Sequence, residues 1–344
     1  MKAVIYEAFN GPLNIQQMPD PQPSADGVVI RVRANGICRS DWHGWKGHIP
    51  IVKLPQVPGH EMAGVVEEVG PLVTRWKNGD RVTTPFNVGC GRCPQCQMGN
   101  EHLCDKLYMP GFGAAGSFAE FCAVPHADIN LVRLPNDLEF APAAALGCRF
   151  STAFRAVIHQ GRLSPGEWIV VHGCGGVGLS AIMIAHAIGA QAIGVDINPE
   201  ALNAAKSVGA AHVFNSKTDA DLIAKIRQVT GGGAHVAVDA LGIAETCVNA
   251  LKSLRKKGRH VQVGIPCEPT VSLPIAYVIF SELEIIGSLG MQAHAYPPML
   301  DLVRSGRLPL DQLVTKRVTL EQSPEALTGM DRFTGVGVTV ITQF

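Results

Sequence analysis

Cysteine and histidine residues form two sets with different spacing, and no other feature of the sequence constrains the fold as strongly. The first set is local and lies in the run GCGRCPQCQMGNEHLC: Cys90, Cys93, Cys96 and Cys104. The second set is dispersed along the chain: Cys38, His60 and Cys148. Four thiolates complete a tetrahedral zinc shell, whereas three protein ligands leave one position open for water or substrate. The two sets therefore predict one structural and one catalytic zinc ion.

The local set leaves few alternatives to zinc. Thiolates packed this closely repel one another unless they bind a metal, and Zn²⁺ prefers such a tetrahedral sulfur shell. An iron–sulfur cluster can use similar spacing. A zinc ribbon that binds nucleic acid is a second alternative, but the segment 89–105 is short and carries few basic residues. A structural zinc lobe remains the favoured interpretation.

Composition excludes several kinds of partner. The chain has 29 basic and 29 acidic residues, so neither a nucleic acid nor an anionic membrane is expected to bind it. No apolar run reaches the ~18 residues that span a bilayer, and we recognise no secretion signal. We therefore expect a cytoplasmic protein whose cysteines bind metal rather than form disulfides. The cysteines outside the two sets are expected to be buried as small apolar side chains: Cys122, Cys174, Cys247 and Cys267.

The pattern of apolar residues changes near residue 150. Residues 1–150 alternate short strands with turns, which predicts an irregular antiparallel barrel or sandwich. Residues 151–289 alternate apolar strands with amphipathic helical stretches, for example 177–190 and 244–258, which predicts a doubly wound parallel sheet. Residues 290–344 return to turns and short strands, and we expect them to fold back onto the first domain. The predicted plan is an α/β protein in which a nucleotide-binding domain interrupts an antiparallel β domain.

A glycine loop follows the first apolar strand of the second domain and opens a helix. The loop fits G-x-G-x-x-G and comprises Gly173, Cys174, Gly175, Gly176, Val177 and Gly178. This context directs backbone N–H groups and a helix N-terminus at a pyrophosphate. Asp196 ends the next predicted strand, where a carboxylate accepts hydrogen bonds from the adenosine ribose of NAD and repels the 2′-phosphate of NADP. Together with the two zinc sets, the loop predicts a metal-dependent dehydrogenase that uses NAD.

Five motifs, in order and approximate spacing, resemble the zinc-containing alcohol dehydrogenases of the medium-chain dehydrogenase/reductase superfamily. The resemblance covers essentially the whole chain. The motifs are C-R-S-D-x-H at 38–43, G-H-E at 59–61, the four-cysteine lobe at 90–104, L-G-C-x-F-S-T at 146–152 and the glycine loop at 173–178. The fold that this resemblance implies is a GroES-like catalytic domain with a Rossmann domain inserted into it.

The resemblance implies roles for individual residues around the metal. Cys38, His60 and Cys148 would hold the catalytic zinc, with Glu61 as an alternate ligand. Asp41 would orient His60, and Ser40 would begin a proton relay that ends at His43. Phe86 would form an aromatic wall of the substrate pocket, and neighbouring loops carry further candidates: Trp42, Trp45, Tyr108 and Phe112.

The resemblance also implies residues that contact the cofactor. Arg39 would pair with the pyrophosphate, and Thr152 would lie against the nicotinamide. Val263 and Ile265, at the end of the predicted strand 260–265, would complete the cofactor site. Two positions depart from the family pattern. Arg149 replaces a small residue beside Cys148, and Ala201 replaces a basic residue that some NAD-linked members place near the ribose.

These observations predict a zinc- and NAD-dependent alcohol dehydrogenase that acts on small alcohols, aldehydes or ketones and forms a homo-oligomer, either a dimer or a tetramer. A polyol or amino-acid dehydrogenase of the same superfamily is an alternative, although many polyol enzymes carry Glu where this chain has Cys148. A protein that binds metal and nucleotide without turnover is a third hypothesis. The complete ligand set argues against it.

Overall fold

The computed structural model describes residues 1–266, 270–332 and 335–344, so Cys267 lies outside the described residues. The chain divides into two compact units. The first comprises Met1–Ser151, Gly290–Arg304 and Pro309–Phe344, and the second comprises Thr152–Leu289 and Ser305–Leu308. Both major divisions lie beside the predicted boundaries, whereas the sequence did not predict that Ser305–Leu308 groups with the second unit.

Strands and helices occupy most of the described chain. The strands are β1 (Lys2–Ile5), β2 (Asn14–Gln17), β3 (Val28–Ile37), β4 (Met62–Val69), β5 (Arg81–Thr83), β6 (Phe121–Val124), β7 (Val132–Arg133), β8 (Trp168–His172), β9 (Gln191–Asp196), β10 (Ala210–Asn215), β11 (Ala234–Asp239), β12 (Leu254–Gln262), β13 (Glu284–Gly287), β14 (Val314–Thr319) and β15 (Val338–Gln343). The helices are α1 (Arg39–Trp45), α2 (Pro94–Gln97), α3 (Ala127–Asn130), α4 (Phe140–Ala144), α5 (Arg149–Phe154), α6 (Gly176–Ala187), α7 (Pro199–Ser207), α8 (Leu222–Thr230), α9 (Ala244–Lys252), α10 (Ile275–Ser281), α11 (Pro297–Arg304) and α12 (Ser323–Thr328). A π-helical segment, Arg155–Gln160, continues α5.

The first unit is built on a seven-stranded sheet with the order β14-β15-β3-β4-β5-β7, in which β6 also pairs with β3. Its strands pair antiparallel, as predicted, except that β14 and β15 run parallel. The last strand, β15, pairs with β3 through Thr339 and Ile37, so the C-terminal segment joins the sheet of the first unit.

Strand β3 organises the first unit because both of its faces are largely buried. Val28, Ile30 and Val32 pack with residues of β4 such as Met62 and Val66. Burying apolar surface stabilises the fold by about 25 cal/mol per Å². At its end β3 delivers Ile37 to a second apolar cluster, which contains Tyr6, Trp42, Trp45, Phe112 and Phe118. The residue after Ile37 therefore follows directly from a packed strand end.

The second unit contains a six-stranded parallel sheet with the order β10-β9-β8-β11-β12-β13. The strands are rich in buried Val, Ile and Ala, as expected where helices cover both faces of a sheet. The strand order reverses between β8 and β11, and ligands of such folds bind outside the carboxyl ends of the strands at this point. The predicted α/β fold class, with its inserted Rossmann sheet, is confirmed.

One predicted helix is too long. The sequence predicts helix over 244–258, but α9 ends at Lys252 and β12 begins at Leu254. The basic run that follows α9 has good helix propensity, yet Leu254 pairs with Ala234 of β11, and Lys257 has φ +60°, which a helix does not allow. Tertiary pairing therefore overrides local propensity here.

Among the described residues, no helix combines the length and apolar character that a bilayer span requires.

Candidate active site and metal centres

Cys38 occupies the junction between β3 and α1, where it is the N-cap of the helix. Its backbone N–H donates to Oδ2 of Asp41 over 2.9 Å. This bond satisfies a donor at the start of the helix and fixes the turn. The thiol is buried, with 4% of the residue exposed. The sequence C-R-S-D thus presents Cys38 from a rigid corner, with Asp41 one turn along the same helix.

His60 lies in a turn that requires glycine on its N-terminal side. Gly59 has φ +104°, and a Cβ at this position would collide with Phe118. The backbone N–H of Gly59 and Nδ1 of His60 both donate to Oδ1 of Asp41, over 3.0 and 2.8 Å. Asp41 therefore fixes the orientation of the imidazole. Burial alone would lower the pKa of His60, but Asp41, followed by Cys38, raises it well above its ordinary value.

Cys148 completes the dispersed set. One ligand atom from each of four buried residues lies within 4.8 Å of the others: Cys38, His60, Glu61 and Cys148. Nε2 of His60 is buried and has no hydrogen-bond partner among the described residues. A hydrogen bond from Cys148, opposed by burial and assisted by the charges of Arg149 and His60, holds the pKa of Cys38 well below its ordinary value. An open imidazole nitrogen beside two buried thiols fits zinc.

Glu61 and Arg149 form a buried ion pair behind this set. The side-chain Nε of Arg149 donates to both carboxylate oxygens of Glu61, over 2.9 and 3.0 Å, and the Arg149 backbone N–H donates to Oε1 over 3.0 Å. Nη2 of Arg149 also donates to Oε2 and to the carbonyl of Ile37. A Cβ at Gly36 would collide with the carboxylate and crowd the guanidinium, so glycine is required there. The predicted alternate ligand therefore has its carboxylate occupied by Arg149.

The pKa values at this ion pair move in the directions that burial and charge dictate. Burial raises the pKa of Glu61 above its ordinary value, although the charge of Arg149 opposes the shift. Burial would lower the pKa of Arg149, but the charges of Glu61 and Cys38 raise it. Arg149 thus remains a cation and compensates negative charge beside the thiols. The sequence alone did not indicate a role for Arg149, because its partner Glu61 lies 88 residues away in the chain.

Two of the five aromatic residues named from the sequence flank the metal-binding set. Phe86 packs in one apolar cluster with Cys38 and Cys148, and its ring centroid lies 6.0 Å from that of His60. The ring of Phe112 lies 4.8 Å from the His60 ring. The others lie elsewhere in the first unit: Trp42 and Trp45 pack in the cluster at the end of β3, and Tyr108 packs against the β3–β4 core. The surroundings of His60 are therefore apolar and aromatic.

Ser40 and His43 lie on α1, after Cys38. The Cys38 thiol is 3.7 Å from Oγ of Ser40. Nδ1 of His43 lies 3.0 Å from Nδ1 of His48, an exposed residue that the sequence analysis missed. Burial, followed by the nearby His48 and Arg39, lowers the pKa of His43. No direct contact between Ser40 and His43 is present among the described contacts.

The four-cysteine lobe surrounds α2. The sulfurs of Cys90, Cys93, Cys96 and Cys104 all lie within 4.8 Å of one another. Cys90 and Lys106 direct backbone N–H groups at the sulfur of Cys104, and Arg92 does so at the sulfur of Cys90. The hydrogen bond from Arg92 is the leading cause that lowers the pKa of Cys90 to about 6. Such donors stabilise thiolates, and the arrangement fits a closed tetrahedral metal site.

The glycine loop joins β8 to α6 in the second unit. Gly173 has φ +95°, and a Cβ on Gly178 would overlap the carbonyl of Gly173, whereas a Cβ on Gly175 would point into open space. Gly176 and Val177 form the first turn of α6. Asp196, at the end of β9, accepts from the backbone N–H groups of Cys174 and Asn198 over 2.7 and 2.9 Å. The loop and the acidic residue thus lie together, as dinucleotide binding requires.

The remaining predicted cofactor residues differ in what they contact. Arg39 donates to the carbonyl of Met330 and lies over the ring of Trp42. Oγ1 of Thr152 is buried without a hydrogen-bond partner among the described residues, which leaves a hydroxyl free for a ligand. Val263 and Ile265 follow β12, and Ile265 is 78% exposed. Ala201 is buried in α7, where a basic side chain would not fit without rearrangement.

Comparison with known proteins agrees with this geometry. The chain matches the alcohol dehydrogenase GroES-like domain over residues 24–136 and the zinc-binding dehydrogenase family over residues 176–305. It is 38% identical to an alcohol dehydrogenase of Geobacillus stearothermophilus, over 84% of this chain and 85% of that one. It is 36% identical to an NAD-dependent alcohol dehydrogenase of Sulfurisphaera tokodaii, over 99% of both chains.

A relative with a different named substrate and a solved structure complete the comparison. The sorbitol dehydrogenase of Bacillus subtilis is 34% identical, over 92% of this chain and 89% of that one. The structure of alcohol dehydrogenase TADH from Thermus sp. ATN1 superimposes with a TM-score of 0.92 at 33% identity, over 100% of both chains. The predicted family is confirmed: the chain belongs to the zinc-containing alcohol dehydrogenases of the medium-chain dehydrogenase/reductase superfamily.

Proposed function

We propose that the protein transfers a hydride reversibly between a small primary or secondary alcohol and NAD. The observation that carries this proposal is the buried set formed by Cys38, His60 and Cys148, in which Nε2 of His60 has no hydrogen-bond partner among the described residues. Three protein ligands with an open position are the pattern of a catalytic zinc site. The S. tokodaii relative, matched over nearly its whole length, is described as NAD-dependent.

The residues around the thiols would each do a separate task. Cys38, His60 and Cys148 would hold zinc, which supplies a Lewis acid that lowers the pKa of an alcohol hydroxyl toward neutrality. Asp41 keeps Nδ1 of His60 protonated and so directs Nε2 at the metal position. Phe86 and Phe112 exclude water and favour substrates with an apolar substituent.

Proton release would use polar residues of α1. The hydroxyl of Ser40 lies beside the Cys38 thiol and would accept the proton that a substrate hydroxyl loses while it releases its own hydroxyl proton in the direction of His43. His43 is half-buried and would hold that proton before it reaches water. Because burial, followed by His48 and Arg39, lowers the pKa of His43, its neutral form, which can accept a proton, persists to lower pH than that of an ordinary histidine. The exposed His48 touches His43 and offers contact with solvent.

Glu61 would act from outside the metal shell. A ligand role would require its carboxylate to leave the bonds to Arg149, and a buried guanidinium without its partner is costly. We therefore infer that the Glu61–Arg149 pair adjusts the charge around the two thiolates and that water or substrate takes the open position.

The four-cysteine lobe would hold the second zinc ion as a structural site. Its sulfurs complete a shell of four without help from other residues, so no position remains for a substrate. The lobe would fix the loop between β5 and β6, which also carries Phe86 and Phe112.

Asp196 supports a preference for NAD over NADP. Its carboxylate lies at the end of β9 beside the glycine loop, where a 2′-phosphate would meet like charge. The residues that follow, 197–200, include no Lys or Arg to compensate that phosphate. Asp196→Gly combined with Asn198→Arg should move the ratio of kcat/KM values toward NADP. An equal preference of the unaltered enzyme for the two cofactors would contradict this assignment.

The outer edge of the second unit supports a homo-oligomer. Strand β13 is an edge strand of the parallel sheet and pairs with β12 alone among the described strands. The adjacent α10 exposes 83% of Phe280 and 65% of Ile279, and β13 exposes 43% of Ile285. An apolar edge of this kind is covered in most stable proteins. Light scattering should give the mass of a dimer or a tetramer, and Phe280→Lys should weaken the association of the subunits.

The reduced thiols required by both metal sets support a cytoplasmic location, because thiols in oxidising compartments form disulfides. The direct test of function is a substrate panel followed by NADH absorbance. Zinc-loaded protein should oxidise small primary or secondary alcohols. Activity restricted to sorbitol or threonine would select the polyol or amino-acid alternative. A protein that binds zinc and NAD but turns over no alcohol or aldehyde would refute an enzymatic role.

A further inference from the structure

A buried acidic residue ends the central strand β11 of the second unit. Asp239 is paired in register with His172 of β8 on one side and with Gln262 of β12 on the other. All three residues end their strands, so they lie at the carboxyl edge of the sheet. Because the strand order reverses between β8 and β11, this is the edge at which ligands of doubly wound sheets bind.

The Asp239 side chain accepts an unusually complete set of hydrogen bonds. Oδ1 accepts from the backbone N–H groups of Leu241 and Gly242 and from Oγ1 of Thr246, over 2.9, 3.0 and 3.1 Å. Oδ2 accepts from the thiol of Cys247 and from Nε2 of Gln262, over 2.9 and 3.2 Å. Five donors therefore converge on one carboxyl group. The carboxylate thereby fixes the turn that follows β11.

No described cation forms an ion pair with Asp239. The two nearby imidazoles do not replace one, because burial lowers the pKa of His172 to about 4 and also lowers the pKa of His260. A buried carboxylate without a cation is expensive unless hydrogen bonds compensate it. The hydrogen bonds from the turn after β11 therefore compensate the burial of Asp239.

Gln262 extends the same network to the next loop. Its Nε2 bonds both to Asp239 and to the carbonyl of Gly264, the latter over 2.7 Å. The backbone carbonyl of Asp239 accepts from the N–H groups of Val263 and Gly264, over 3.0 and 2.9 Å. The segment after β12 is thus fixed by Asp239 through its backbone and, through Gln262, by its side chain.

Three loops interlock above these strand ends. Gly242 has φ +78°, and a Cβ there or on Gly264 would overlap the backbone of the other loop. A Cβ on Gly173, the first residue of the glycine loop, would collide with the side chain of Leu241. The glycine loop and the loops after β11 and β12 are therefore in close contact, and Gly173, Gly242 and Gly264 leave no room for a larger residue.

Topology assigns a part of the dinucleotide to this surface. Asp196 ends β9, on one side of β8, and marks the adenosine end of the site. The glycine loop after β8 receives the pyrophosphate. The remaining half of the molecule must then extend over the loops that follow β11 and β12, on the other side of β8.

We propose that Asp239 and Gln262 are positioning residues. They hold the loops 240–243 and 263–265 in the conformation that supports the nicotinamide half of the dinucleotide. This inference rests on the proposed function, because it assumes that NAD is the ligand of the second unit. The buried network would then position the cofactor, in addition to stabilising the fold.

Binding measurements with NADH and with ADP-ribose distinguish contacts to the nicotinamide half from contacts to the rest of the cofactor. We would titrate the zinc-loaded protein with NADH, followed by its fluorescence, and with ADP-ribose, followed by displacement of NADH or by calorimetry. Gln262→Met and Asp239→Asn should weaken NADH about tenfold, the effect of losing roughly 1.4 kcal/mol of binding free energy. Both variants should change the affinity for ADP-ribose less than about twofold, because the adenosine and pyrophosphate contacts remain.

Matched variants make the result decisive. Gln191→Met introduces the same substitution at an exposed site where β9 begins, and it should leave both affinities unchanged. Asp196→Asn should weaken NADH and ADP-ribose together. Equal losses of both ligands in Gln262→Met, or no loss of either, would overturn the inference while leaving the proposed function intact. Failure of the unaltered protein to bind NADH would overturn the proposed function itself.

Discussion

The two metal-binding sets of the first unit are built in opposite ways. The lobe takes all its sulfurs from one short segment, holds them with turns and backbone N–H groups, and leaves Cys90 and Cys93 partly exposed. The dispersed set takes its ligands from three distant segments, and all of them are buried. A local set needs little from the rest of the fold, whereas a dispersed set exists only after the sheet has formed.

The environments of the two sets differ as much as their origins. Backbone hydrogen bonds lower the pKa values of Cys90 and Cys93 in the lobe. Around Cys38, side chains do this work, because Cys148, Arg149 and His60 lower the pKa of its thiol. Backbone donors give a site that is fixed and inert. Ionised side chains give a site whose charge can be adjusted, which is what chemistry at a metal requires.

The largest difference between the sets should appear in turnover. Cys38→Ser should lower kcat/KM at least about a thousandfold, because it removes a ligand from a site expected to supply several kcal/mol of transition-state stabilisation. The fold should survive, since the serine is isosteric. Steady-state NADH production and circular dichroism measure both effects. Turnover above about a tenth of the original rate would contradict the assignment of this set as catalytic.

The next largest effect concerns the buried ion pair. Arg149→Met leaves Glu61 buried without its cation and should lower the free energy of unfolding by about 3–5 kcal/mol, measured in urea. Adding Glu61→Gln should recover a large part of this loss.

An exposed ion pair provides the control for this experiment. Arg304 pairs with Asp301 and both side chains are more than 60% exposed, so Arg304→Met should change stability by less than about 1 kcal/mol. Similar losses of unfolding free energy for Arg149→Met and Arg304→Met would show that the buried ion pair contributes no more to stability than an exposed one.

A smaller effect is expected from the lobe. Cys93→Ser should open the closed sulfur shell and lower the melting temperature by roughly 5–10 °C, which corresponds to a few kcal/mol in a chain of this size. Activity per folded molecule should change little, because no residue of the lobe belongs to the dispersed set. A variant that melts normally but has lost its turnover would reverse the roles of the two sets.

The smallest effect is a shift in pH dependence. His48 is one of the neighbours that lower the pKa of His43, so His48→Asn should let that pKa rise toward its ordinary value. Neutral His43 would then be lost at a higher pH as the solution is acidified. The acid limb of kcat/KM should therefore move upward by less than about one pH unit. The matched control is His212→Asn at an exposed site, which should leave the acid limb unchanged. An unchanged or downward-shifted limb in His48→Asn would refute the coupling between His48 and His43.

The same contrast explains what the sequence could predict. The lobe follows from spacing alone, because its ligands are neighbours in the chain. The dispersed ligands were named from motifs, and the structure brings Cys38, His60, Glu61 and Cys148 together. The Glu61–Arg149 pair and the His43–His48 contact were missed, since a guanidinium or an imidazole in a sequence does not announce its partner.

Secondary structure shows a related limit. Strands β8 to β11 lie where their apolar runs predict them, because a buried parallel strand leaves a compact apolar signature. The sequence predicts a helix at the start of β12, because the basic residues there carry no such signature and the pairing of Leu254 with β11 is a long-range property. The parallel pair of β14 and β15 was missed for the same reason.

Counting zinc tests the central claim most directly, namely that one set is catalytic and the other structural. Native mass spectrometry and elemental analysis of protein purified without chelator should give two zinc ions per chain. Cys38→Ser should contain one zinc ion and be inactive but folded, and Cys93→Ser should contain one zinc ion and remain active while less stable. One zinc ion in the unaltered protein, or a Cys38→Ser variant that keeps both ions and its activity, would contradict the account.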